Sequence, residues 1–206
     1  MKRLIEELKE NKDWRIRELQ QLKSVLYFES RNDLSNYELL SKYAIPTSCA
    51  IWEGYFKESI GNYYSFYNRN NGSEEDITML TNIIEHNKVV NKNYQDFETK
   101  KRLVADMKNV FENPKFKEEY KPQIGLKKLR DTNKLLERME LDPLGDQYKT
   151  RLNTMVNLRN IIIHGEKNDI TFSLEEIETY INLVLQLMNE LENTIISKSE
   201  QLTVTT

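Results

Sequence analysis

A chain of 206 residues with 38% hydrophobic and 31% charged residues is long enough to bury a core without staples and reads as a single domain, 1–206. Only 6 Gly and 4 Pro argue against a strand-rich fold, and a lone cysteine excludes a disulfide framework and fits a reducing compartment. A net charge of −3 excludes general nucleic-acid affinity, so any such contact must come from a local basic site.

The chain opens on Met1-Lys2-Arg3-Leu4-Ile5-Glu6-Glu7, which lacks the apolar stretch of a secretory signal. No run approaches the roughly 18 apolar residues that cross a bilayer, so a cytoplasmic protein without a membrane partner is expected. Leu4, Ile5, Leu8, Trp14, Leu19, Leu22, Val25 and Leu26 fall near helical spacing and predict a helix from 1 to about 29. Ser30-Arg31-Asn32-Asp33 reads as a break, with Asp33 or Ser35 as the cap of the next helix.

A second helical region, about 36–68, is the most aromatic part of the chain, from Tyr37 and Tyr43 through Trp52, Tyr55 and Phe56 to Tyr67. Pro46 lacks a ladder donor and should kink or split it, and Asn68 to Ser73 closes it. From 74 to 144 the pattern weakens to short helices near 75–86, 95–112 and 125–140, the last two ending at Asn113-Pro114 and Asp142-Pro143. This stretch is expected to be a helical elaboration on the domain. Over 115–138 eight basic residues face four acidic ones, a net of +4, which suits either a solvated helical face or an RNA-facing patch at Lys127, Lys128 and Arg130.

The C-terminal third has the clearest pattern. A helix is expected over about 146–163, stopped by Gly165. Ser173-Leu174-Glu175-Glu176 has capping-box spacing and opens a last helix to about 198, with Ile177, Ile181, Val184, Leu185, Met188 and Leu191 on one stripe. The tail, 200–206, is expected to fray.

Two histidines and one cysteine have no zinc-ligand spacing, so no metal and no cofactor are expected, and six scattered glycines form no phosphate loop. Cys49, among Thr47, Ser48, Ala50 and Ile51, reads as a packed thiol. The segment Arg159-Asn160-Ile161-Ile162-Ile163-His164-Gly165 stands out, because it sets a permanent cation and a histidine in an otherwise apolar helix end. Five residues put Arg159 and His164 about 140° apart on a helix, whereas Asn160 and His164 share a face. One copy would struggle to aim both groups at one atom; two copies packed helix to helix could line a shared groove with both pairs. Histidine can take a ribose 2′-hydroxyl proton or protonate a leaving oxygen, and arginine can hold a phosphate through parallel hydrogen bonds. The alternative is a helix-end histidine on the last carbonyls and a surface ion-pair arginine.

Leu158-Arg159-Asn160-Ile161-Ile162-Ile163-His164-Gly165 resembles the Arg-x(4–6)-His signature of the HEPN superfamily (higher eukaryotes and prokaryotes nucleotide-binding), with Asn160 as the polar residue after the arginine. Tyr43 to Lys57, with its Trp52-Glu53-Gly54 step, is similar to the second helix of a bacterial branch found in toxin–antitoxin and phage-defence systems. The resemblance implies an all-α, up-and-down four-helix bundle with extra short helices between the second and third core helices. It also implies a homodimer and metal-independent cleavage of RNA, with Arg159 and His164 as the catalytic pair and Asn160 as a supporting catalytic residue. Glu53 is a supporting neighbour on the resemblance alone; a buried hydrogen-bond or salt-bridge role suits it equally. An antitoxin or other defence component is an expected partner. Toxins paired with a nucleotidyltransferase often carry a tyrosine two residues after the histidine, and Glu166 stands there instead. Some members are inactive, so a HEPN module that binds nucleotide, RNA or a partner protein is the alternative function.

Overall fold

Asp33 divides the two longest N-terminal helices with a single residue. In the computed structural model, which describes residues 1–70, 77–90, 96–117, 128–165 and 170–204, α1 runs Lys2–Asn32 and α2 runs Leu34–Arg69. Asp33 is extended (φ −146°, ψ 99°), and its carboxylate accepts from the amides of Ser35 and Asn36 at 3.0 and 3.1 Å. That is the N-cap the sequence offered, and it makes the hairpin tight enough to set α1 and α2 antiparallel.

α2 is the central helix. It packs against α1, against α6 (Lys149–Ile163) and against α7 (Leu174–Val204). Pro46 does not split it. Ala44, Ile45, Ser48 and Cys49 are buried around the proline, and the hydroxyls of Thr47 and Ser48 donate to the carbonyls of Tyr43 and Ala44, each at 2.8 Å. Packing on both sides and these local bonds offset the roughly 3 kcal/mol that an interior proline costs a helix.

Cross-helix contacts give the direction of each element. Asn11 donates to Ser59 and Lys12 pairs with Glu192, so α1 is antiparallel to α2 and to α7. The Cys49 thiol lies 3.7 Å from the Met155 carbonyl, and Tyr37 donates to the Phe172 carbonyl at 2.7 Å, which sets the C-terminal end of α6 beside the first half of α2. The four long helices therefore run up and down, as the resemblance implied, and the described residues contain no strand.

Three shorter helices stand between α2 and α6: α3 (Ile77–His86), α4 (Phe97–Glu112) and α5 (Leu129–Arg138), followed by a single 3-10 turn, Asp146–Tyr148. Asparagine side chains fasten this elaboration. Asn68 takes both polar groups of the Phe116 backbone, Asn87 holds the Lys115 carbonyl and the Lys117 amide, and Asn133 holds both polar groups of Leu144. Irregular backbone needs such partners where no ladder supplies them. The buried apolar side chains of α3 to α5 join those of the long helices in one continuous cluster.

Several expectations are corrected. α5 stops at Arg138, with Glu140 at φ 55°, ahead of Asp142-Pro143. α7 continues through Val204, beyond the end expected near 198. Leu183 and Leu187 are buried beside the expected stripe, because α7 is covered from two sides by α1 and α2. On α1, Ile5, Trp14 and Val25 are exposed, while Asn11 and Arg15 are buried in positions the apolar spacing did not mark. Among the described residues no helix is long and apolar enough to cross a membrane.

Candidate functional site

The end of α6 is built by its last turn. The His164 amide donates to the Asn160 carbonyl at 2.9 Å, and the Gly165 amide donates to the Ile162 carbonyl at 3.3 Å. Gly165 then turns the chain at φ +69°, a conformation that costs a side-chain-bearing residue about 1 kcal/mol or more. The expected stop is present, and it leaves His164 exposed as the C-cap, with φ −82° and ψ −3°. Its imidazole has no hydrogen-bond partner among the described residues.

Arg159 is half-buried, and its cation is near enough to α2 to act on the Cys49 thiol. Its Nη1 donates to Asn160 Oδ1 at 3.0 Å. Asn160 thus holds both ends of the motif: its side chain holds the guanidinium, and its carbonyl accepts from His164. Among the described residues no carboxylate lies within ion-pair distance of Arg159.

Cys49 reports where these charges sit. Burial pushes its thiol up to about 12, while the nearby Arg159 cation pulls it down and the Glu53 carboxylate raises it further. The thiol is 1% exposed, a packed core group as its neighbours suggested. Glu53 is one turn further along α2, half-buried, and its Oε1 lies 2.7 Å from Lys57 Nζ. It is in the same neighbourhood as Arg159 but bonded within its own helix, which fits the salt-bridge alternative.

The Trp52-Glu53-Gly54 step divides into three tasks. Trp52 enters the core, Glu53 lies at the α2 edge, and Gly54 lets Arg15 cross. A Cβ at Gly54 would stand 3.0 Å from Arg15 Nη2. Arg15 is buried and donates to the Asn11 carbonyl, to Asn11 Oδ1 and to Glu58, 3.1 Å away. Burial depresses the guanidinium and Glu58 counters it. Sequence reasoning missed Asn11 and Arg15; the glycine inside a helical pattern was the available signal of a close approach.

Lys128 and Arg130 are exposed at the start of α5, and the Leu129 amide between them donates to Asn153 Oδ1 of α6 at 3.0 Å. Six residues separate Asn153 from Arg159, about 9 Å along the helix, so this part of the basic stretch is tied to the same helix as the motif. Lys127 lies outside the described residues, as does Glu166. The second histidine has a different setting: His86 packs edge-on against Tyr64 and Phe116, and its Nε2 is 3.1 Å from the Lys117 carbonyl. Among the described residues no group of three or more His, Cys, Asp or Glu side chains could hold a metal ion.

No curated protein and no solved structure matches this chain. The family model described as RiboL-PSP-HEPN matches residues 10–197, a span that runs from within α1 to the last turns of α7 and includes residues 159–164. The chain belongs to the RiboL-PSP-HEPN family of the HEPN superfamily.

Proposed function

We propose that the chain is a metal-independent endoribonuclease of a bacterial toxin or phage-defence system. In this reading it acts as a homodimer, with Arg159 and His164 of two copies lining one groove and a cognate antitoxin or defence component as partner. The observation that carries it is the exposed, unpartnered His164 ring one helical turn from Asn160, which holds Arg159 clear of any carboxylate among the described residues. Family membership supports a nucleotide- or RNA-related role of the same site.

The chemistry needs only these groups. One His164 takes the proton of a ribose 2′-hydroxyl, and the alkoxide attacks the adjacent phosphorus. Arg159 binds the non-bridging oxygens and stabilises the charge that grows on them. The bond to the 5′-oxygen breaks, and that oxygen takes a proton from His164 of the second copy. The products are a 2′,3′-cyclic phosphate and a 5′-hydroxyl. Because Arg159 and His164 leave α6 about 140° apart, the second copy supplies what one copy cannot aim.

An oligonucleotide carrying a single 2′-deoxyribose tests the reading. Loss of cleavage after that nucleotide alone is expected, whereas cutting that continues there would rule out attack by the 2′-hydroxyl. If the chain binds RNA without cutting any, the inactive binding module is the function; the divergence of Arg159 and His164 within one copy is the feature that favours it.

A further inference from the structure

Between Asp146 and Glu166 the sequence contains no acidic residue, although the chain has 33 of them. That gap coincides with α6, whose charges are Lys149, Arg151 and Arg159 alone. On its outer side, residues 153, 157, 160 and 164 follow each other at helical spacing. They are Asn153, Asn157, Asn160 and His164: three amides and the candidate catalytic ring on one stripe about 17 Å long. Asn153 Oδ1 is used on the Leu129 amide and Asn160 Oδ1 on Arg159. Asn157 is exposed, and its amide has no partner among the described residues. It stands about 10 Å from His164 along the helix.

α5 begins beside the stripe, where the Leu129 amide donates to Asn153 Oδ1. This helix is tied at its start to Asn153 of α6 and at its end to α3, where Asn82 donates to the Arg138 carbonyl. Its outer ridge carries Arg130, Lys134 and Arg138. Arg138 is shared with Glu85 at 3.2 Å and Arg130 with Asp131 at 3.6 Å, both in solvent, where such pairs contribute little and are readily exchanged. Lys134 has no ion pair among the described residues.

We propose that the outer face of α6 and the ridge of α5 form a track for single-stranded RNA flanking the scissile phosphate, with Asn157 as a specificity-determining residue. A neutral amide stripe free of carboxylates leaves the approach to Arg159 unopposed, and an asparagine amide offers both a donor and an acceptor to a base edge. Unstacked bases of a single strand present those edges, and the phosphates beyond them meet Arg130 and Lys134. A duplex would hide the edges. The track rests on the ribonuclease reading for the position of the scissile bond, but RNA binding along it does not require cleavage.

The test uses the full-length His164→Ala protein and a fluorescent single-stranded RNA, read by anisotropy over a range of salt. Adding Asn157→Asp or Lys134→Glu should weaken binding by about tenfold, and Lys134→Glu should also lower the salt slope by about 0.7, the value for one phosphate contact on a single strand. Lys2→Glu, on the far N-terminal turn of α1, serves as the control. Affinities of both track variants equal to that control would overturn the track, as would an Asn157→Asp change that alters the oligomeric state and leaves RNA affinity intact. In otherwise wild-type protein, Asn157→Ala should shift the distribution of cut sites. RNA binding that follows this pattern in a protein that never cuts would sink the ribonuclease reading alone, and cutting with unchanged KM in the track variants would sink the track alone.

Discussion

Arg159 Nη1 donates to Asn160 Oδ1 at 3.0 Å, a hydrogen bond between sequence neighbours at the end of α6. Adjacent residues on a helix point about 100° apart, so this contact fixes the direction in which the guanidinium leaves α6 instead of letting it swing freely. Asn160 acts on Arg159 as a positioning residue, which gives the polar residue after the arginine a physical task. Asn160→Ala should therefore lower kcat by about 10²-fold, the scale of a misplacement near 1 Å, while the thermal midpoint changes little. A kcat equal to wild type would show that Arg159 needs no such hold.

Gly165 turns the chain at φ +69° directly after His164, with open space where a Cβ would go. Gly165→Ala is thus a test of backbone strain without a clash. It should cost about 1 kcal/mol in urea unfolding and reduce activity, because the strain falls on the C-cap that sets the imidazole. Gly165→Asn, which tolerates the left-handed region better, should recover part of both.

Two glycines inside α2 should answer substitution in opposite ways. Nothing lies within 4 Å of a Cβ at Gly61, so Gly61→Ala should stabilise by about 0.5–1 kcal/mol through helix propensity. At Gly54 the Cβ would meet Arg15 Nη2 at 3.0 Å, and Arg15 is held by Asn11 and Glu58. Gly54→Ala should forfeit that gain and lower the melting temperature. Equal stabilisation at both positions would show that Arg15 can move aside.

The Cys49 thiol, raised to about 12 by burial, should resist alkylation at neutral pH until the protein unfolds. In the unfolded chain it ionises near 9.0, so between that pH and about 12 the folded state holds a proton that the unfolded state has lost. Its contribution to stability is full below 9.0 and declines as pH rises towards about 12. Burial raises Tyr55 and Tyr64 as well, which adds to the same alkaline loss. A Cys49→Ser variant should flatten part of that slope in pH-dependent urea unfolding.

Features that depend on a few neighbouring residues were legible in the sequence. The Asp33 cap is one, and the stop at Gly165 is another. In the capping box the Glu176 carboxylate accepts from the Ser173 amide at 2.8 Å, and the Ser173 hydroxyl accepts from the Glu176 amide at 3.2 Å. What depends on a distant partner was not. Asn11 and Arg15 look like solvated positions of a charged helix, and only the approach of α2 at Gly54 buries them. Pro46 left a split open beside a kink, because the covering of Ala44 to Cys49 by other helices is invisible to local spacing. The tie of α5 to α6 through Asn153 was equally hidden, since an asparagine in a helix has no pattern of its own.

The central claim is that Arg159 and His164 cleave RNA without a metal. The most direct measurement is cleavage of a mixed RNA pool by the purified protein in EDTA, beside His164→Ala and Arg159→Ala, with the product ends analysed. Wild-type protein should cut and leave 2′,3′-cyclic phosphate ends, and either substitution should abolish the cutting. Cutting that survives both substitutions, or an absence of cutting by all three folded proteins, would contradict that claim.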